Sequence, residues 1–160
     1  MSQAKFLADQ ARRAFAGDAW HGDSVLEILA DIDANTAAAR PIPGAHSIWE
    51  LILHMAAWDD AVTRRTHGTA FMPTDKQNFP AVTDTSEPTW QNAIEHLKKT
   101  HDLLVQTIAE FSDTRLAEQV PGKSGDHYNF AYMFHGVIQH ELYHAGQIAL
   151  LKKAARGAGS

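Results

Sequence analysis

Apolar residues in this chain recur three and four positions apart, and no stretch keeps the strict alternation of a half-buried strand. Over residues 3–16, Phe6, Leu7, Ala11, Ala14 and Phe15 fall on one side of a helix that Gly17 and Asp18 interrupt. Trp20-His21-Gly22 separates it from a short helical piece, Ser24 to Ile32, for which Asp23 or Ser24 is the expected cap. Arg40-Pro41-Ile42-Pro43-Gly44 is a loop signal. Ser47-Ile48-Trp49-Glu50 has the form of a capping box and opens a second long helix, which runs to about Thr66 and ends at His67-Gly68. Residues 68–88, with three prolines among several Thr, Asp and Ser, read as a long crossover loop. Trp90, Ile94, Leu97, Leu104, Ile108 and Phe111 mark one face of a third long helix. A polar, Gly-rich stretch from Pro121 to Asp126 leads into the last helix, about Asn129 to Ala154. The pattern predicts an all-α chain, a four-helix bundle with a short extra helix after helix 1 and a long crossover loop between helices 2 and 3. One domain is expected over 1–154, with 155–160 a tail that frays.

Composition narrows what such a bundle does. At 160 residues a second core would leave each half marginal. Lys+Arg 14 against Asp+Glu 19 gives a net charge of −5, which argues against a nucleic-acid partner. The absence of Cys excludes disulfides, thiolate metal sites and a thiol nucleophile carried by the chain itself. No segment approaches the ~18 unbroken apolar residues of a membrane span. The first ten residues, interrupted by Lys5 and Asp9, form no apolar signal region, so a cytoplasmic protein without membrane contact is expected. Histidine is the unusual number: there are 10.

Two of them stand in His140-Glu141-Leu142-Tyr143-His144. Four residues of helix separate them by about 40°, so both face one direction, and Met133, Val137, Ile148 and Leu151 share that face. Two imidazoles set in an apolar stripe are either core residues satisfied by hydrogen bonds or ligands reaching one cation. His-Glu-x-x-His is also the zincin pattern, but the 16 residues after His144 hold no Asp, Glu or His to complete it. The metzincin extension fails too, with Gln147 and Leu150 at its Gly and His positions. A third ligand must come from upstream. His54, on a stripe with Leu51, Trp58 and Ala61, is the best placed. Three neutral imidazoles from facing helices suit one divalent ion, Zn or Ni in the first place, with Fe, Cu or Mn as alternatives, and leave positions open for water or a ligand.

Other residues carry competing readings. Glu50 could orient the free ring nitrogen of His54 from outside the ligand set, although the capping box accounts for it without a metal. Gln147, back on the ligand face, could bond His144 or a ligand water. Glu141 is a candidate general base, yet it stands about 80° from the histidine pair, where plain solvation serves as well. His101 lies on the apolar stripe of the third helix as a fourth ligand or, more simply, a satisfied core histidine. His21 and Trp20 could border a cavity mouth. Arg64 and Arg65 could meet an anionic substrate or cap a solvated helix end.

His-Ser-Ile-Trp-Glu-Leu-Ile-Leu-His at 46–54 and His-Glu-Leu-Tyr-His-Ala-Gly-Gln-Ile at 140–148 resemble the two signature segments of the DinB/YfiT-like family. Trp20-His21-Gly22 and the Arg40–Gly44 loop resemble the same family. The resemblance implies an up-down-down-up four-helix bundle, often a homodimer, with a divalent metal held by His54, His140 and His144. It implies no DNA role. Members of known activity include S-transferases that use low-molecular-weight thiols such as bacillithiol, and a mycothiol-dependent maleylpyruvate isomerase; many others are labelled only metal-dependent hydrolases. The expectation is therefore a metal-dependent enzyme acting on a small molecule, such as a thiol S-transferase. A hydrolase and a non-catalytic metal- or ligand-binding module connected with stress are the alternatives.

Overall fold

The computed structural model describes residues 2–125 and 127–157. Its helices are α1 (Gln3–Ala16), α2 (Val25–Leu29), α3 (Ala34–Ala38), α4 (Ile48–Thr66), α5 (Asp75–Asn78), α6 (Glu87–Ala109) and α7 (Phe130–Gly157), with a 3₁₀ turn at Asp113–Arg115. No strand occurs among the described residues; a lone antiparallel bridge joins Gln119 to Asn129. The long helices α1, α4, α6 and α7 make the bundle. α1 packs on α6 and α7, and α4 packs on the same two, so α1 and α4 stand on one diagonal and α6 and α7 on the other. Two connections must therefore cross the bundle. One carries α2 and α3; the other carries the 3₁₀ turn and the loop that ends at Asn129.

Side chains close the helix starts as the sequence predicts. Ser47 Oγ accepts from the Glu50 backbone at 3.2 Å while Glu50 accepts from the Ser47 N–H at 2.8 Å. At α2 the cap is Ser24, which pairs with Glu27 in the same way.

Three expectations need correction. The piece Ser24 to Ile32 is helical only as far as Leu29, where α2 stops, and beyond it a start the apolar pattern did not suggest, at Asp33, whose carboxylate accepts from Thr36 N–H at 2.8 Å, opens α3. The 68–88 crossover is not all loop, because a box between Thr74 and Gln77 opens the single turn of α5. The last helix passes Ala154, and residues 155–157 belong to it rather than to a tail. Lys152 donates to the Ile28 carbonyl and pairs with Asp31, as does Arg156 at 2.6 Å, which ties this end to the α2–α3 connection. Ala158–Ser160 lie outside the described residues.

The apolar core falls into two clusters. One centres on Trp49 and Trp90, both fully buried, with Met55, Leu97, Ile148 and Leu151 around them. Burying each indole contributes roughly 4–6 kcal/mol of transfer free energy, and Trp90 also donates its N–H to the Ile32 carbonyl at 2.7 Å. The other cluster holds Leu7, Leu104, Phe111, Phe130 and Phe134. Between them, on α4, α6 and α7, runs a polar belt that includes buried Asp59, His101, Glu141 and His144.

Candidate metal centre

α4 supplies His54 and α7 supplies His140 and His144. The pairing follows from the stripes: each helix turns its most apolar face inward, and these histidines are part of that face. Their Nε2 atoms converge, with His140 Nε2 at 2.9 Å from that of His54 and 3.0 Å from that of His144. The outer nitrogens are held from behind. His54 Nδ1–H donates to the Asn78 carbonyl at 3.0 Å, and His144 Nδ1–H donates to Gln147 Oε1 at 2.6 Å. With the protons on the outer nitrogens, the Nε2 lone pairs of both rings point at the centre. Phe79 stacks on the His54 ring at 4.2 Å and on His46 at 3.9 Å, and Trp58 donates its N–H to Asn78 Oδ1 at 2.9 Å. The turn of α5 thus braces His54 through a backbone carbonyl and an aromatic face.

Protons cannot satisfy this arrangement. Burial and then the neighbouring His144 and His54 push His140 down to about 3, and burial lowers His54 and His144 as well. At neutral pH all three rings are uncharged. One Nε2–H on His140 serves at most one of its two neighbours, which leaves another buried lone pair facing it. The His140 Nδ1 has no partner either. Three converging, neutral imidazole nitrogens, two of them on rings fixed from behind, make a donor set that suits a divalent transition-metal ion. His54, His140 and His144 are the group that could hold one.

The triad opens on a cavity of about 460 Å³. Trp58, Val62, Met133, Val137 and the rings of Tyr128, Tyr132 and Tyr143 form most of its wall. Asn78, Gln139 and Arg65 are its other polar side chains, and among the described residues no Asp or Glu lines it. It has the size and the mostly apolar wall of a small-molecule site.

The remaining residues singled out in the sequence are distributed as follows. Gln147 touches the triad, through His144. Glu50 does not: it is engaged by Ser47 and by Arg40, and the His54 nitrogen it was expected to orient belongs to Asn78. Glu141 is neither solvated nor aimed at the triad. It is almost fully buried and accepts a hydrogen bond from His101 Nδ1 at 2.7 Å. His101 accordingly adds no fourth nitrogen to the three. Asp59, which the sequence reading passed over, lies 3.6 Å from the same Nδ1. Burial and then the Asp59 charge raise Glu141 to about 7, and burial raises Asp59 too. His101, which burial alone would depress, is lifted to about 10 by its Asp59 and Glu141 partners. The three together could also hold a cation, but the short His101–Glu141 contact is that of a shared proton. His21 and Trp20 are exposed and line a separate cavity beside Ile138 and Leu142. Arg64 is an exposed helix-end residue paired with Asp60 at 2.8 Å. Arg65 is not: only 1% exposed, it donates Nε–H to the Phe71 carbonyl at 2.8 Å and lies over the Trp58 ring. No described helix is long and apolar enough to cross a membrane.

A family model described as the DinB superfamily matches residues 19–148. Neither the comparison with curated proteins nor that with solved structures gave a match.

Proposed function

The chain belongs to the DinB superfamily, and from that premise we propose that it is a metal-dependent enzyme, a thiol S-transferase that joins a low-molecular-weight thiol to a small electrophile. The observation that carries this reading is the convergence of three neutral Nε2 atoms at the floor of a mostly apolar cavity that no carboxylate among the described residues lines. A divalent ion held there supplies Lewis acidity, which lowers the pKa of a coordinated thiol or water. The chain supplies the rest. Asn78 and Gln147 hold the His54 and His144 rings in the tautomer that presents Nε2. Trp58 and Val137 give the reacting sulfur an apolar wall. In the transfer a carbon–sulfur bond forms, the bond to the leaving group breaks, and the thiol proton passes to solvent. With no Cys in the chain, the sulfur must come from a cosubstrate.

Two observations weigh against the alternatives. A hydrolase gains from a carboxylate positioned to take a proton from water, and Glu141 is turned away into its own buried pair. A structural site is closed by a fourth protein donor, and the two candidates, His101 and Glu50, are both engaged elsewhere. Zinc or nickel as the ion, a homodimer and a cytoplasmic setting belong to the same proposal and rest on the family resemblance and the imidazole donor set.

The test is conjugation of monochlorobimane with cysteine, glutathione, bacillithiol or mycothiol. Zinc-loaded protein should accelerate the reaction of at least one thiol, and chelation or His144→Ala should remove the acceleration at least tenfold. If no thiol is accelerated while zinc-loaded protein hydrolyses p-nitrophenyl acetate, the hydrolase reading replaces this one.

A further inference from the structure

Arg65 is the least expected residue in the molecule. Charged side chains are almost never fully buried unless paired, yet no Asp or Glu among the described residues forms an ion pair with it, and its hydrogen bonds go to the Phe71 carbonyl and the Met72 sulfur. A chain with net charge −5 has acid to spare, but among the described residues none lines the cavity into which Arg65 faces. A second cation stands close by. Lys123 covers the Tyr128 ring at 5.3 Å, without an acidic partner among the described residues, and burial followed by the Arg65 charge lowers its pKa. Tyr128 lies beside the guanidinium and lines the cavity as well.

This placement is built. Gly122 adopts a φ of 73°, and a Cβ there would lie 2.8 Å from the Ala70 Cβ. Only glycine fits, and its close approach seats the loop carrying Lys123 on the segment that follows Arg65. Two cations held together with no acid paired to either among the described residues repel one another, and that repulsion is relieved by an anion from outside.

We propose that the end of the cavity lined by Arg65 and Tyr128, with Lys123 behind the Tyr128 ring, is a carboxylate subsite, so that the small molecule processed at the three histidines carries a carboxylate at its opposite end. This rests on the reading of the triad as the reacting end. Trp58 lies between the two ends, under Arg65 at 5.4 Å and beside the His140 ring at 5.9 Å. The ligand is therefore a carboxylate joined to its reacting group through an apolar or aromatic middle that packs on an indole. Arg65, with its remaining N–H groups, and the Tyr128 hydroxyl are the donors to the carboxylate oxygens.

The experiment is calorimetric titration with 4-phenylbutanoate and with its uncharged match, 4-phenylbutanamide, on chelator-treated and on zinc-loaded protein. Wild type should bind the carboxylate at least tenfold more tightly than the amide in both forms. Arg65→Met should erase the preference, Arg65→Lys should keep part of it, and Lys123→Met should weaken it severalfold. Because Arg65→Met could unfold the protein, circular dichroism accompanies it, and partly exposed Lys123 carries the test if it does. Equal binding of the two probes, no binding of either, or a preference undiminished in folded Arg65→Met or in Lys123→Met overturns the subsite. A protein that takes up no zinc but prefers the carboxylate sinks the metal reading and leaves the subsite standing. One that takes up zinc without the preference does the reverse.

Discussion

Gln147 shows how a residue that never touches a metal governs its site. Its carbonyl accepts from His144 Nδ1–H at 2.6 Å and so decides which nitrogen faces the centre. Gln147→Ala should leave the bundle intact and weaken zinc binding about 10- to 100-fold, read by competition with a chromophoric chelator; unchanged affinity would remove Gln147 from the account. Its contact with His144 was legible in the sequence, because three residues beyond His144 returns to the same helix face. The partner of His54 was not, because a backbone carbonyl carries no residue signature. Glu141 misleads for a different reason. A turn of 80° off the ligand face points to solvent on a helix buried along one stripe, but α7 also buries Phe130, Phe134 and Ala145, so that turn leads into the interior. Arg65 misleads because the segment after α4 folds back over it, placing the Phe71 carbonyl where solvent was expected.

Among the elements, those with enough turns to show a periodic stripe were readable. α1, α4, α6 and α7 stand within a few residues of their expected bounds. α3 and α5, at 5 and 4 residues, are too short for a stripe, and their signals were caps: Asp33 with Thr36, and Thr74 with Gln77. α5 matters most of these, because it carries the Asn78 carbonyl to His54. At α4 the cap has a measurable share of stability. Ser47→Ala removes the acceptor for the Glu50 N–H and should cost about 1 kcal/mol, a fall of roughly 2–4 °C in Tm by calorimetry. Tm unchanged by the substitution would mean that the box does not hold the start of the helix.

The whole molecule is a bundle with its apolar core divided by a polar belt, and the division has a cost. His101, Asp59 and Glu141 in that belt carry buried atoms without hydrogen-bond partners, among them both Asp59 oxygens. The histidine triad adds lone pairs that no proton fills. Such a belt weakens the fold unless something binds it, and a bound ion stabilises the folded state by mass action. The measurement that tests this most directly is the metal content of protein purified without chelators or a polyhistidine tag, beside His54→Ala and His144→Ala. Wild type should hold about one divalent ion per chain and both variants should lose it, as a three-imidazole site requires. Metal-free wild type that takes up neither zinc nor nickel, or variants that keep the ion, would contradict the account. The first result would leave the triad as core histidines, and the second would move the ion to Asp59, His101 and Glu141.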